Sequence, residues 1–140
     1  MQQRLTIITL GVKDLKKSTD FYETKFGWHK TEASNANISF FKLNGILLSL
    51  YNEDELAKDA MLDTGGYGFK KFTMAYNVTS KKEVDATIEA LRVKGVTIIK
   101  EPQEVFWGGY SAYVSDLDDN LWEIAYIPFL DLDEYGNALN

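Results

Sequence analysis

The same order of pattern elements occurs twice in the chain, and this internal repeat limits the folds open to it. Each half has a strand pattern, an amphipathic helix pattern and then three further strand patterns. Val78 lies 66 residues after Val12, and Tyr126 lies 75 residues after Tyr51. This order of strands and helices predicts an α+β fold. Since neither half could bury its sheet alone, the two βαβββ modules would form one pseudo-symmetric curved sheet around a cup.

Turn-forming residues set the bounds of the two modules within a single domain. We expect the first module at about 4–51 and the second at about 69–127. The linker, about 52–68, begins with a short helix pattern at Asn52–Leu62 and ends in a Gly-rich segment. A tail follows at 128–140. A chain of this length buries roughly 70% of the surface that its unfolded form exposes, so it needs no disulfide staples.

The first module contains a capped helix and a hairpin. Asp14 is a typical N-cap residue, and Gly27 is a typical stop signal. Asn44-Gly45 is among the strongest short hairpin signals. The predicted strands of this module are Leu5–Val12, a strand beginning at Trp28–Thr31, Ile38–Leu43 and Ile46–Tyr51.

The second module repeats this order and ends in a hairpin with an unusual charge. Its helix is capped by Thr79 or Ser80 and ends at Lys94-Gly95. Its predicted strands are Lys71–Val78, Val96–Lys100, Tyr110–Ser115 and Leu121–Ile127, and turn formers occupy 116–120. The last strand carries Glu123 between two large apolar residues. Because burying an unpaired charge is costly, the presence of this carboxylate in an apolar strand requires an explanation.

Composition excludes several classes of function. The net charge of −6 argues against a nucleic-acid partner, which needs clustered Lys and Arg. The absence of cysteine excludes thiolate metal sites and cysteine nucleophiles. No apolar run approaches the ~20 residues of a membrane span, and the start of the sequence lacks a signal-peptide layout. We therefore expect a cytoplasmic protein without a membrane or nucleic-acid partner.

Several stretches give the chain a resemblance to a known superfamily over almost its whole length. They are Thr9–Leu15 followed by Phe21-Tyr22, Leu50-Tyr51 with Leu56–Ala60, Trp107–Tyr110, and Asp116–Asn120 with Trp122–Ala125. In these stretches the chain resembles the vicinal oxygen chelate superfamily, which includes glyoxalase I, bleomycin-resistance proteins, fosfomycin-resistance enzymes and extradiol dioxygenases. The tail at 128–136 resembles that of a glyoxalase-like branch. Asp116–Asn120 lacks the Pro and Gly usual in the family's turn, so a looser hairpin tip is expected.

The resemblance also implies where a metal would bind. Metal-dependent members place four ligands in the cup, and these positions fall on Ile7, Leu48, Thr73 and Glu123. The repeat offsets of 66 and 75 relate the same positions. Two of the four side chains are aliphatic, and a neutral hydroxyl is a poor ligand. Zinc sites and non-haem iron sites both need more ligands than this. The single histidine, His29, lies away from these positions. We therefore expect no cofactor and no divalent metal.

Glu123 has two interpretations, and both remain open at the level of sequence. In one it is a remnant of the fold that is hydrogen-bonded to its neighbours. In the other it lies in an apolar cup as a general base, or anchors an amine or hydroxyl of a ligand. No second acid, base or nucleophile is placed beside it by the sequence. The family-based cup would be lined by Leu5, Ile7, Thr9, Leu48, Leu50, Thr73, Ala75, Asn77, Leu121 and Ala125.

Trp107-Gly108-Gly109-Tyr110 precedes the hairpin and is the second candidate binding element. In drug-binding relatives a Trp-Gly at this place edges the ligand groove, where an aromatic face suits flat or cationic ligands. Alternatively, Trp107 packs on the sheet edge and the glycines let the chain bend. The predicted ligand-binding residues are Ile7, Thr9, Leu48, Leu50, Thr73, Ala75, Trp107, Tyr110 and Glu123.

Two functional hypotheses follow from these residues. The first is a metal-free protein that binds a small organic molecule, cationic or aromatic, as bleomycin-resistance proteins do. The second is a glyoxalase-like lyase or isomerase that uses Glu123 as a base or metal ligand. Zinc glyoxalase I and dioxygenase chemistry are disfavoured by the missing ligands. The aromatic-rich sheets and the resemblance both favour a homodimer.

Overall fold

The computed structural model describes residues 3, 5–61, 63–66 and 68–139. Contacts within the chain define two compact units, Met1–Gly68 and Phe69–Asn140. Each unit combines a β-sheet with helix, so the predicted α+β fold class is confirmed. Arg4, Leu62, Tyr67 and Asn140 belong to the predicted module, linker or tail ranges but lie outside the described residues.

The first unit is built on a three-stranded sheet. Its elements are β1 (Ile7–Val12), α1 (Leu15–Thr24), β2 (Ile38–Lys42), β3 (Leu47–Asn52) and α2 (Glu53–Asp59). The strand order is β1-β3-β2, in which β1 is parallel and β2 antiparallel to β3. The core of this unit includes Tyr22 of α1 together with Phe41, Leu48 and Leu50 of the sheet.

Local chemistry explains where these elements begin and turn. The Asp14 carboxylate accepts a hydrogen bond from the Lys17 amide at 3.0 Å and so caps α1. The Asn52 side chain caps α2 in the same way. Gly45 has a φ of +79°, which a residue without a β-carbon adopts readily at the tip of the β2–β3 hairpin.

The strand predicted at Trp28–Thr31 was wrong in its extent. Only Lys30 pairs, through an isolated antiparallel bridge to Phe41. Trp28 instead stacks on Tyr22, with ring centroids 5.6 Å apart and an interplanar angle of 23°. Trp28 therefore belongs to an aromatic cluster packed against α1 rather than to a strand. His29 is exposed.

The second unit contains a four-stranded sheet. Its elements are β4 (Met74–Val78), α3 (Lys81–Val93), β5 (Thr97–Glu104), β6 (Tyr110–Ser115) and β7 (Leu121–Tyr126). The strand order is β4-β7-β6-β5, in which β4 is parallel to β7 and the other neighbours are antiparallel. Ser80 caps α3 by accepting from the Glu83 amide. β5 extends to Glu104, four residues beyond its predicted end.

Candidate functional site

The two faces of the first sheet differ in what covers them. Helix α1 lies on the face that carries Ser39 and Phe41, because Thr19 hydrogen-bonds to Ser39 at 2.7 Å and the Tyr22 ring contacts Phe41. Leu48 and Leu50 pair with Phe41 and Ser39 and are both 0% exposed, so they belong to this helix-covered face. They therefore form the core of the unit, on the face opposite Ile7 and Thr9, and their predicted contact with a ligand stays a prediction.

The opposite, open face of this sheet carries the other predicted residues of the first module. The hydroxyls of Thr9 and Ser49 are hydrogen-bonded at 2.6 Å across the parallel β1–β3 pair. Ile7 lies two residues before Thr9 on the same face, and 42% of its surface is exposed. Ile7 and Thr9 thus remain accessible, whereas Ser49 is buried. Ser49 was not among the residues selected from the sequence.

Strand register corrects the alignment of the two halves. Parallel pairing places Thr9 opposite Ser49 in the first sheet and Ala75 opposite Glu123 in the second. Since Thr9 and Ala75 are related by the repeat offset of 66, Ser49 is the counterpart of Glu123. The predicted counterpart, Leu48, is one residue out, and in a strand this error moves a side chain to the other face.

Glu123 lies on the open face of the second sheet with a phenol beside it. It pairs directly with Tyr113 of the neighbouring antiparallel strand, which places the carboxylate and the phenol side by side on this face. Burial raises the pKa of Tyr113, and the charge and hydrogen bond of Glu123 raise it further. A hydrogen bond from the Thr73 side chain acts in the opposite direction. The structure therefore brings together Thr73, Tyr113 and Glu123, of which the sequence analysis missed Tyr113.

A cation lies on the other side of Tyr113. Lys100 is opposite Tyr113 in the β5–β6 pair, with its Nζ atom 5.3 Å from the centre of the phenol ring. The same Nζ donates to the Ser111 hydroxyl at 3.2 Å. Lys100 was predicted only as the end of a strand. Alternating patterns do not show which residue of an edge strand faces a carboxylate two strands away, so this contact could not be predicted from the pattern of residues.

On β4, β6 and β7 the remaining open-face residues are small or polar apart from Leu121, which lies two residues before Glu123. Ala75 is exposed beside Glu123, as predicted for a lining residue. Asn77 pairs with Ala125, and its buried Oδ1 atom has no hydrogen-bond partner among the described residues. This face therefore combines a carboxylate, a phenol, an ammonium and hydroxyls with one large aliphatic side chain, that of Leu121.

The loop before β6 holds Trp107 over a glycine. A β-carbon placed on Gly109 would lie 1.8 Å from the Trp107 ring, so the ring occupies the space that any larger side chain would need. The other side of Trp107 makes an edge-on contact with Phe129, with ring centroids 6.0 Å apart. Both rings are exposed. Trp107 is thus packed against Gly109 and Phe129 with part of its ring exposed, and its role in ligand binding stays a prediction.

Tyr110 points away from this face. Its hydroxyl donates to the Asp85 carboxylate of α3 at 2.8 Å, and Lys81 of the same helix lies over its ring. The hydrogen bond to Asp85 raises the pKa of Tyr110. Tyr110 therefore joins β6 to its helix on the face opposite Glu123, and its role in ligand binding stays a prediction.

The donor set at the family's metal positions does not fit a metal ion. Ile7 is aliphatic. The observed strand register assigns the second position to Ser49 rather than Leu48, and the Thr73 side chain interacts with Tyr113. In the part of the chain that the structure describes, no three His, Cys, Asp or Glu side chains are grouped as a metal site. A site with Glu123 as its single anionic ligand falls well short of zinc or iron coordination.

The first unit also has a surface groove of about 440 Å³. Its lining residues are Leu15, Ala36, Asn37, Tyr51, Asn52 and Glu55. None of the predicted ligand-binding residues lines it. Of the helices that the structure describes, none combines the length and apolar character needed to cross a membrane.

Comparison with known proteins places this geometry in context. Residues 4–124 match the model of the Glyoxalase/Bleomycin resistance protein/Dioxygenase superfamily. The chain is 30% identical over 126 residues to the uncharacterized protein YraH of Bacillus subtilis, covering 86% of this chain and 96% of YraH. It is 30% identical over 126 residues to the fosfomycin resistance protein FosX of Listeria monocytogenes, covering 86% of each. The structure of a glyoxalase-related enzyme from Fulvimarina pelagi superposes with a TM-score of 0.86 at 30% identity, over 99% of both chains.

Proposed function

Because the chain belongs to the Glyoxalase/Bleomycin resistance protein/Dioxygenase superfamily, we propose that it binds a small organic molecule without using a metal ion. The binding surface is the open face of the second sheet. The observation that carries the proposal is the direct cross-strand pairing of Tyr113 with Glu123 on the face of the second sheet opposite α3, since Tyr110 contacts that helix from the other face. Ligand sites combine a few well-placed polar groups with accessible surface, and this face has both.

Glu123 has hydrogen-bonding capacity left for a ligand. An ionised carboxylate accepts about four hydrogen bonds, and the single hydroxyl of the neighbouring Tyr113 can supply at most one of them. The others suit an ammonium or hydroxyl group of a ligand. The exposed ring of Trp107 offers an aromatic surface for a flat or cationic part of the same molecule. A cationic or aromatic ligand fits these groups best.

The metal-free part of the proposal rests on the donor set. Glyoxalase-type chemistry needs several protein ligands around one ion, and this chain offers one carboxylate with hydroxyls and aliphatic groups. We expect the purified protein to carry no stoichiometric metal after loading with zinc, nickel or manganese. Metal analysis tests this, and one bound ion per chain would overturn it.

Ligand binding is tested by tryptophan fluorescence with a panel of small cationic and aromatic compounds. We expect at least one compound to change the emission of the wild-type protein, and the change to persist in a chelator. Glu123→Gln should weaken binding of that compound about tenfold or more, while Glu134→Gln, at an exposed residue of the tail, should leave it unchanged. If no compound changes the emission, or if binding disappears with chelator, the proposal fails.

An enzymatic function is the second candidate, and the contact between Tyr113 and Glu123 favours it. A phenol and a carboxylate that face each other across paired strands can serve as an acid–base pair, as general acid–base catalysis requires. Here Glu123 would remove a proton from a bound compound. FosX is named for fosfomycin resistance, so fosfomycin is the first compound to test. In this case Glu123→Gln abolishes turnover but leaves binding intact, whereas binding without conversion favours the first candidate.

We also propose a homodimer in the cytoplasm. Large apolar side chains are exposed on the described surface, among them Phe106 and Phe129, and such groups commonly mark interfaces. The absence of cysteine suits a reducing compartment. Light scattering during gel filtration should give twice the chain mass of 15.9 kDa, and a monomer at micromolar concentration would overturn the dimer.

A further inference from the structure

Lys100 reaches the open face of the second sheet because β5 is irregular. Ile98 pairs with Val114, and one regular step along both strands would place Ile99 opposite Tyr113. The register shifts by one residue, so that Lys100 takes this place instead. A second shift separates Lys100 from Gln103. Irregularities of this kind are known to re-aim side chains next to functional sites. The shift exchanges an isoleucine for an ammonium group beside Tyr113.

Lys100 and Glu123 are opposite charges that do not pair with each other. Both are partly buried, and neither takes part in any of the ion pairs found among the described residues. Tyr113 lies between them, since β5 and β7 flank β6 on its two sides. Two strand spacings separate the backbones of Lys100 and Glu123 by about 10 Å. The phenol thus keeps the charges apart on one face.

We propose that this face recognises a small zwitterionic ligand, with a cationic group at Glu123 and an anionic group at Lys100. This inference rests on the proposed binding function and adds the chemical class of the ligand. Partly buried charges lose hydration, and an opposite charge on a ligand offsets that loss at each end. A ligand with a single charge leaves one of the two groups uncompensated. The Tyr113 ring would support the chain that joins the two charged groups.

The test uses ω-aminocarboxylates from 4-aminobutanoate to 8-aminooctanoate as probes. Each is compared with the alkylamine and the alkylcarboxylate of the same chain length, by calorimetry and by thermal shift at low ionic strength. We expect one chain length to bind best, and to bind at least about tenfold tighter than either singly charged analogue. Binding should weaken as salt is added, because the contacts are between charges.

Variants assign the two ends of the probe. Lys100→Met should reduce binding of the best zwitterion to the level of its alkylamine, and Glu123→Gln should reduce it to the level of its alkylcarboxylate. Lys82→Met, at an exposed lysine of α3, should change nothing. If Lys100→Met does not fold, Lys100→Gln takes its place, because glutamine also removes the charge but keeps a polar side chain. Circular dichroism confirms that each variant is folded.

The outcomes separate this inference from the proposed function. If zwitterions bind no tighter than their singly charged analogues, the inference is overturned, while fluorescence-detected binding of any other compound leaves the proposed function standing. If the zwitterion preference survives both Lys100→Met and Lys100→Gln, Lys100 is not the anion site and the inference fails. If no compound of any class binds, both proposals fail together.

Discussion

The carboxylate of Asp116 binds Asn120 twice, accepting from its backbone amide at 2.8 Å and from its side-chain Nδ2 at 2.7 Å. Both residues are buried. A further hydrogen bond from the Asp118 amide, at 2.9 Å, reaches the same carboxylate. Lys70 donates to Asn120 from outside the turn. Side-chain hydrogen bonds therefore hold the hairpin tip in place of the Pro and Gly of the family's turn. They argue against the looser tip that was expected from the sequence.

Replacing Asp119 by glycine should stabilise the protein. Asp119 has a φ of +60°, a left-handed conformation that costs an L-residue free energy and glycine almost none. The gain is partly offset by the greater freedom of glycine in the unfolded chain, so we expect an increase of about 0.5 kcal/mol in the free energy of unfolding. Urea unfolding measures it. Asp119→Val is the contrast and should destabilise, and a destabilised glycine variant would contradict the prediction.

Tyr113 should make the stability of the protein fall at alkaline pH. Its pKa is raised in the folded state, chiefly by burial and then by Glu123, so the folded protein holds this proton after the unfolded chain has lost it. Stability from this group is present below the unfolded pKa, near 10, and is lost as the pH rises through the folded value. Tyr113→Phe should flatten this part of the profile of urea midpoint against pH. Tyr76→Phe, at an exposed residue of β4, is the control, and equal profiles for the two variants would contradict the prediction.

Replacing Gly109 by alanine should displace Trp107. The added β-carbon would fall 1.8 Å from the ring, and flexing of the loop does not remove an overlap of that size without moving the ring. We expect a shift of tryptophan emission and a destabilisation of about 1–3 kcal/mol, the usual cost of overpacking. Gly65→Ala is the control, because nothing lies within 4 Å of its added β-carbon. Unchanged emission from the Gly109 variant would show that the ring does not rest on this glycine.

Features set by a few neighbouring residues were predictable from the sequence. The N-caps at Asp14 and Ser80 and the Asn44-Gly45 hairpin each depend on side chains within four residues, and all three were confirmed. A second Asx-type turn was missed, although its pattern is visible. Asp133 accepts from the amide and side chain of Asn137, as Asp116 does from Asn120.

The candidate site was only partly predictable because it depends on pairing between distant strands. Glu123 was selected from its own strand, since a charge among apolar residues is visible locally. Tyr113 and Lys100 join it through antiparallel register, and a one-residue shift in β5 decides which side chain faces Tyr113. The assignment of Ser49, rather than Leu48, as the counterpart of Glu123 likewise depends on the parallel register between β1 and β3. The alternation of side chains along a strand defines its two faces, but it does not show which face packs against the helix.

The face assignment of β3 predicts different effects for the same substitution at adjacent leucines. Leu48 is 0% exposed on the helix-covered face, whereas Leu47 is only partly buried on the open face beside Ile7. Leu48→Ala should cost about 2–5 kcal/mol of unfolding free energy, because it leaves a cavity in a packed core. Leu47→Ala should cost clearly less, since part of its surface already meets solvent. Chemical denaturation of the two variants under identical conditions measures the difference. Equal losses, or a larger loss at Leu47, would mean that the strand is turned over and that Leu48, as first aligned with Glu123, faces the open side.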